Sequence, residues 1–247
     1  MPRILTYNVH RCVGVDRRLD VERVADVIAE FEPDIVCLQE LDVGRARTGH
    51  VDQAHTLASL LGMRSHFHPA LQVEEELYGD AILTALPERR IKASALPTVS
   101  GIPGLEPRGA VWIEVMIDGA PLQVINTHLG LVPQEQRRQA QALAGPDWLA
   151  HPQCRGATVL VGDLNCTSIS RPYGVLAARL ADAQRRASLP RTIKTFPSAL
   201  PTLRIDHCFV SEGISIRSIQ APFHPLARMA SDHLPLVVDF DLNSASG

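Results

Sequence analysis

Short apolar runs, of the kind that form buried strands, repeatedly end in this chain at residues able to hold a metal, move a proton or grip a phosphate. Ile4-Leu5-Thr6-Tyr7 runs into Asn8 and His10, Ile35-Val36-Cys37-Leu38 into Gln39-Glu40, and Leu122-Gln123-Val124-Ile125 into Asn126-Thr127-His128. Thr158-Val159-Leu160-Val161 stops at Gly162-Asp163-Leu164-Asn165. Arg204-Ile205 leads to Asp206-His207, and Ser231-Asp232-His233 stands before Leu234-Pro235-Leu236-Val237-Val238. A buried carboxylate is costly unless it is paired or bound to a cation. Loop ends held by a rigid sheet are where catalytic groups usually lie. Together the endings predict one shared metallohydrolase site. They span Asn8 to His233, so residues 1–247 are read as a single domain, long enough to bury a substantial core.

The formal net charge of -3 argues against a large non-specific nucleic-acid surface. Aromatic residues make up 4% of the chain, leaving few platforms for stacking single-stranded bases. The five cysteines form no C-x-x-C pair, and Cys37 sits inside an apolar run, where a packing thiol is expected. A reducing cytoplasm fits that usage. The N-terminus enters a strand at once, without a signal-peptide segment, and no apolar run approaches the length of a membrane span.

Val21, Val24, Ala25, Ile28 and Phe31 share one stripe and predict a helix opening at Leu19-Asp20 and ending at Pro33-Asp34. Further helices are expected over 51–62, 133–143 (with Gln136, Arg137 and Arg138 solvated) and 172–180. The middle of the chain reads as strands, with Asp118-Gly119 as a hairpin turn. Residues 97–109, rich in Pro and Gly (Gly101 among them), form a loop over the site, and 187–203 are irregular. Adjacent strand pairs look antiparallel. Two packed sheets with helices outside therefore fit better than a doubly wound parallel sheet.

Singly, each chemical residue has a plain explanation. Glu40 could be a surface residue, Asp163 with Asn165 an Asx turn, His128 a satisfied histidine, Asp232 a cap, and Asp206 the partner of an arginine. Their joint placement tips the balance. Gly162-Asp163-Leu164-Asn165 and Ser231-Asp232-His233-Leu234-Pro235 resemble motifs of the endonuclease/exonuclease/phosphatase superfamily. The likeness extends, in order and spacing, to Tyr7-Asn8-Val9, Leu38-Gln39-Glu40, Tyr78-Gly79-Asp80-Ala81, Arg108-Gly109-Ala110, Thr127-His128-Leu129 and Arg204-Ile205-Asp206. The resemblance implies a four-layer α/β sandwich, two packed mixed β-sheets flanked by helices, and divalent-metal-dependent cleavage of phosphate esters.

A phosphodiester repels hydroxide, so a catalyst must neutralise phosphate oxygens, generate a nucleophile and stabilise the leaving oxygen. Glu40 is the first metal ligand expected, with Asn8 and Asp232 beside it; an all-oxygen set suits Mg²⁺ or Mn²⁺ over zinc. His233 is the candidate general base, and the resemblance implies that Asp206 fixes its tautomer. Asp163 and Asn165 would position water and a phosphate oxygen, with Asp163 the alternative base. His128 would donate to the non-bridging oxygens. Asp80 stands where the resembling motif commonly has Asn, and either orients His128 or serves a turn. His10 with Asp16 either contacts a second metal or is a solvated loop residue. Arg108 either meets a substrate phosphate or braces the loop. The remaining histidines show no repeated metal-ligand spacing.

The inositol-phosphatase pattern wants Trp-Cys-Asp-Arg where this chain has Leu203-Arg204-Ile205-Asp206, which disfavours that activity. The chain resembles compact bacterial members of the superfamily. The expected substrate is a phosphodiester: a small molecule, a lipid head group or a nucleic acid. A nuclease proper is the alternative. A non-catalytic binding domain would have lost site groups that this chain retains.

Overall fold

The computed structural model describes residues 1–99, 102–189 and 191–243; Gly101 of the predicted loop lies outside the described residues. Along the chain run β1 (Arg3–Asn8), α1 (Val21–Ala29), β2 (Ile35–Val43), α2 (Gln53–Leu60), β3 (Arg64–Val73), β4 (Glu76–Thr84), β5 (Glu88–Ala95), β6 (Gly109–Ile117) and β7 (Ala120–His128). Then come α3 (Pro133–Leu143), β8 (Ala157–Asp163), α4 (Arg171–Ala177), β9 (Ala181–Asp182), α5 (Ala183–Arg186), β10 (Asp206–Val210), β11 (Ile214–Gln220), α6 (Pro225–Ala230) and β12 (Leu236–Leu242). They build two six-stranded sheets, ordered β11-β12-β1-β2-β4-β3 and β5-β6-β7-β8-β10-β9. Each sheet has a single parallel pair, β1 with β2 and β7 with β8, and is otherwise antiparallel.

The strands read as near-continuous apolar runs because both faces of each sheet are covered. Successive side chains alternate between layers. Ile4, Ile35, Cys37 and Ile82 face Val111, Ile113, Val124, Val159 and Cys208 between the sheets. Leu5, Tyr7, Val36 and Leu38 turn outward onto Val24, Ile28, Leu57 and Ala227 of α1, α2 and α6. On the far side Ile125, Leu160 and Phe209 meet Ala140, Leu143 and Leu176 of α3 and α4. Each fully buried Leu, Ile or Val contributes about 1.5–3 kcal/mol. The four expected layers are present.

Local chemistry explains most boundaries. Asp20 caps α1 by accepting from Arg23 N, and Pro133 occupies the first turn of α3, where no N–H is needed. Asp118 and Gly119 both take positive φ, 49° and 82°, as the hairpin turn between β6 and β7 requires. One expectation needs correction, and one helix was not anticipated. Gln136 is buried, since its amide donates to Gly130 O and Asn165 O, both at 2.9 Å; only Arg137 and Arg138 are exposed. The short α6, capped by His224 with Pro225 in its first turn, was a legible signal that apolar periodicity passed over. No helix is long and apolar enough to cross a membrane among the described residues.

Two residues at strand ends prove structural. Gln39 Nε2 donates across the sheets to Asn126 Oδ1 at 2.7 Å, and Asn126 Nδ2 donates to Leu38 O and Ala81 O at 2.9 Å. This brace ties the two sheets together beneath the cleft described next.

Candidate active site

Strand direction gathers the chemistry at one edge of the sandwich. β1 and β2 run parallel, with Asn8 beside Gln39, so Asn8 and Glu40 reach the same edge. β12 is antiparallel to β1, which brings the segment before it, Ser231 to His233, to the same edge; Ser231 Oγ donates to Asn8 O at 2.8 Å. In the second sheet His128 pairs with Asp163 at the ends of β7 and β8. Asp206 pairs with Asp163 from the start of antiparallel β10. Asp206 therefore opens a strand, not closes one as its apolar lead-in suggested. Gly162 lies so close to β7 that a Cβ would stand 1.8 Å from Thr127 O, which reserves the position before Asp163 for glycine.

The β2–β4 register slips between Leu38 and Leu41, and Glu40 sits in this bulge at φ 62°. A bulge re-aims a side chain, and Glu40 lines the cleft. Asn165 (φ 49°) and His10-Arg11-Cys12 (φ 45°, 59° and 55°) also adopt left-handed backbone. Such conformations cost roughly 1–3 kcal/mol each and concentrate at functional sites.

The cleft, about 540 Å³, is lined by Glu40, His128, Asp163, Asn165, Asp232 and His233, with His10, Arg11, Arg47 and Arg108 among its walls. Asp163 is its hub. Asn8 Nδ2 donates to Asp163 Oδ2 and to Glu40 Oε1, both at 3.0 Å, and Asn165 N donates to Asp163 Oδ1 at 2.8 Å. His233 Nε2 stands 3.6 Å from Asp163 Oδ2, while His233 Nδ1 meets Asp206 Oδ2 at 2.9 Å. Thr195 Oγ1 donates to the same Asp206 oxygen at 2.5 Å, and Asp206 Oδ1 is buried without a partner.

A second corner is built from donors. Asn165 Nδ2 reaches His128 Nε2 and Leu129 O, both at 2.9 Å, and Arg108 Nη1 lies 3.3 Å from His128 Nδ1. Burial first, then the positive charges of Arg108 and His233, hold His128 well below the ordinary histidine range, so it is neutral. Arg108 and the Asn165 amide nitrogen can only donate. A neutral ring accepts at one nitrogen, leaving spare donors in this corner.

The acidic side behaves differently. Burial opposes charge on His233, but Asp206, Asp163 and Asp232 outweigh it and raise it to about 10. Burial and Asp206 push Asp163 up to about 7 against the pull of His233, Asn165 N and the Asn8 amide. Asp163, Asp206 and Asp232 thus act on one imidazolium, with Glu40 in the same cleft. Arg47 and Arg108 in the walls are paired with Asp42 and Glu106, so a local acidic excess remains that suits a dication. Asp163, Asp206 and His233 offer ligand atoms within 4.8 Å of one another. Asp206 Oδ2 is already committed to His233 and Thr195, so the donors left for a cation are Glu40, Asp232, Asp163 and the unpartnered Asp206 Oδ1. Asn8 turns its nitrogen to Glu40 and Asp163, and its Oδ1 accepts from His10 N at 3.1 Å. Only a flipped amide would offer oxygen to a cation there.

Three weaker assignments are revised. Asp80 makes no hydrogen bond to His128 among the described residues. Buried opposite the bulge, its carboxyl accepts from the backbone of Glu40, and burial raises it to about 7. Asp16 is taken by Arg23, at 2.8 and 3.2 Å, and does not join His10. Both ring nitrogens of His10 are engaged, by Val13 O at 3.1 Å and Arg11 Nη2 at 2.7 Å, which leaves no lone pair for a metal. Sequence reasoning passed over Thr195 and Ser231, whose hydroxyls fix Asp206 and Asn8 from irregular segments. It also passed over Phe196, whose ring packs 4.8 Å from that of His233.

Comparison with known proteins finds similarity over nearly the whole chain. The uncharacterised protein YbhP of Escherichia coli K12 is 27% identical over 252 residues, covering 97% of this chain and 96% of YbhP. An endonuclease/exonuclease/phosphatase from Beutenbergia cavernae superposes with a TM-score of 0.76 at 24% identity, covering 99% of this chain and 72% of that one. A mannosyl-6-phosphatase from Bacteroides thetaiotaomicron shares the fold with a TM-score of 0.76 at 17% identity, covering 98% of this chain and all (100%) of that one. The sequence profile described as Endonuclease/Exonuclease/phosphatase family matches residues 5–233, nearly the whole length, and the chain belongs to that family of phosphate-ester hydrolases.

Proposed function

We propose that this protein is a divalent-metal-dependent phosphodiesterase acting in the cleft between Glu40 and His128. The observation that carries the reading is the juxtaposition, in one cleft, of a carboxylate cluster in charge excess and a corner of unspent hydrogen-bond donors. With a cation held on the acidic side, a phosphate ester would bridge such a pair, its charge met by the cation there and by the donors opposite. Mg²⁺ or Mn²⁺ fits the oxygen donors Glu40 and Asp232, with Asp163 and Asn8 adjoining, and supplies charge neutralisation to the phosphoryl oxygens when bound.

The chain's own groups then divide the work. His128, Asn165 and Arg108 hydrogen-bond the non-bridging oxygens as their charge grows. His233 directs Nε2 toward Asp163 because Nδ1–H is tied to Asp206, and Thr195 holds that carboxylate in turn. A water between Nε2 and Asp163 meets two proton acceptors in the fraction of molecules whose His233 is neutral. His233 is the general base in this reading. Asp163 is the second candidate, favoured by its value of about 7 against about 10 for His233.

A cleft of about 540 Å³ takes a small ester, a lipid head group or a single nucleotide more readily than a duplex. Nucleic acid remains the alternative substrate, with strong salt dependence as its signature. The test is hydrolysis of bis-p-nitrophenyl phosphate against p-nitrophenyl phosphate, with Mg²⁺, Mn²⁺ or EDTA. Diester turnover should vanish in EDTA, and His233→Ala should reduce kcat by about 10²–10⁴-fold. Preference for the monoester would make the protein a phosphatase, and full activity in EDTA would end the metal assignment.

A further inference from the structure

Behind the cleft lies a second concavity of about 350 Å³ whose lining is basic and hydroxylic, with no carboxylate among the described residues that line it. Arg185, Arg191 and Arg204 converge there with the hydroxyl residues Ser168, Ser188 and Thr192. Arg204 is 93% buried, and its Nε has no hydrogen-bond partner among the described residues; its Nη2 is spent on Asp182, at 2.5 and 2.6 Å. Asp182 is saturated from behind by Tyr173 Oη at 2.6 Å and Gln184 N at 2.8 Å, so it balances one of the three arginines and leaves an excess of about two positive charges. The wall is built. Gln184 both donates to Ile193 O (3.1 Å) and accepts from Ile193 N (2.9 Å), fixing the strand of chain that carries Arg191 and Thr192 against α5. Arg185 lies over the Tyr173 ring at 5.2 Å.

We infer that this pocket is a binding site for a phosphoryl group, separate from the catalytic cleft. Planar guanidinium donors joined by hydroxyls match a tetrahedral oxyanion, and a buried arginine with a free donor is stabilised by such a ligand. Two segments join the pocket to the cleft: Ser168 follows Asn165 on one loop, and Arg204 alternates with Leu203 and Ile205, which face the cleft. The anion is either a distal phosphoryl group of the substrate or free phosphate released by the reaction.

In EDTA the catalytic cleft lacks a cation, and the position of the perturbed amides separates the two sites. In an amide NMR titration of the intact protein with inorganic phosphate, in EDTA at constant ionic strength, saturable shifts should cluster at Ser168, Gln184, Ser188, Thr192 and Arg204. Arg185→Ala combined with Arg191→Ala changes two exposed residues and should weaken binding at least about tenfold, while turnover of p-nitrophenyl esters stays intact. Shifts confined to His128 and Asn165, shifts that never saturate, or equal binding by the double variant would overturn the site without touching the catalytic reading. A KM increase limited to substrates with a second phosphoryl group marks the distal group as the ligand; unchanged KM values mark free phosphate.

Discussion

Asp163 and Asp182 are two buried carboxylates in the same sheet, in opposite electrostatic circumstances. Burial works against the charge of both. Around Asp182 the Tyr173 hydroxyl and the Arg204 guanidinium outweigh it, and the carboxyl is held below its ordinary range. Around Asp163 the neighbours include Asp206, with Glu40 and Asp232 in the same cleft, and the carboxyl is lifted to about 7. One region is satisfied internally and holds the fold. The other is left short of positive charge, which costs stability and which, under the proposed function, a bound cation would relieve. Charge excess, rather than burial or residue type, separates the carboxylate of the candidate site from the structural one.

The sharpest way to break the contrast is to neutralise each carboxylate. Asp163→Asn should lower kcat for a p-nitrophenyl diester by at least about 10³-fold, roughly 4 kcal/mol of transition-state stabilisation, with the fold kept. An Asn variant within tenfold of wild type would remove Asp163 from the chemistry. Asp182→Ala should instead cost about 3–5 kcal/mol of stability in urea titrations, because Arg204 is left buried without its counter-charge. Unchanged stability there would mean that Arg204 finds another anion.

The smallest effect sharpens the comparison through pH, read in EDTA. A carboxyl raised from 3.8 to about 7 contributes stability fully present below pH 3.8 and lost as pH rises through 7. Asp163→Asn should therefore gain stability over wild type between pH 4 and pH 8, by about 1–2 kcal/mol. Asp80→Asn should do the same, since burial raises Asp80 to about 7 as well, and should leave kcat within about threefold because Asp80 does not touch His128. Asp182 runs the other way. Its contribution is present above 3.8 and is lost on acidification through its lower folded value. Parallel pH profiles for Asp163 and Asp182 variants would erase the distinction drawn between them.

Much of this was legible before any fold was seen. Apolar runs covered on both faces made the strands visible, and the polar residue at each run's end marked the active edge. Asp118-Gly119 declared its turn through a backbone that few residues accept. The supporting shell was not legible. Thr195 lies in an irregular stretch without periodicity, and its importance depends on Asp206 eleven residues away. Asp80 was expected, from its place in the resembling motif, to orient His128 or to serve a turn; it stands opposite the slip in the β2–β4 register and faces Glu40 instead.

The amino-acid order alone determined which segments become strands, that two sheets must share a core, and which side chains end at the cleft, because hydrophobic period and strand-end chemistry are local properties. Tertiary structure decided which carboxylate is paired and which is left in excess, that Asp206 opens a strand, that Gln39 and Asn126 brace the sheets, and that three arginines meet behind the site. Those outcomes depend on distances between residues far apart in the chain, and electrostatic energy is set by distance and burial, which no local pattern encodes.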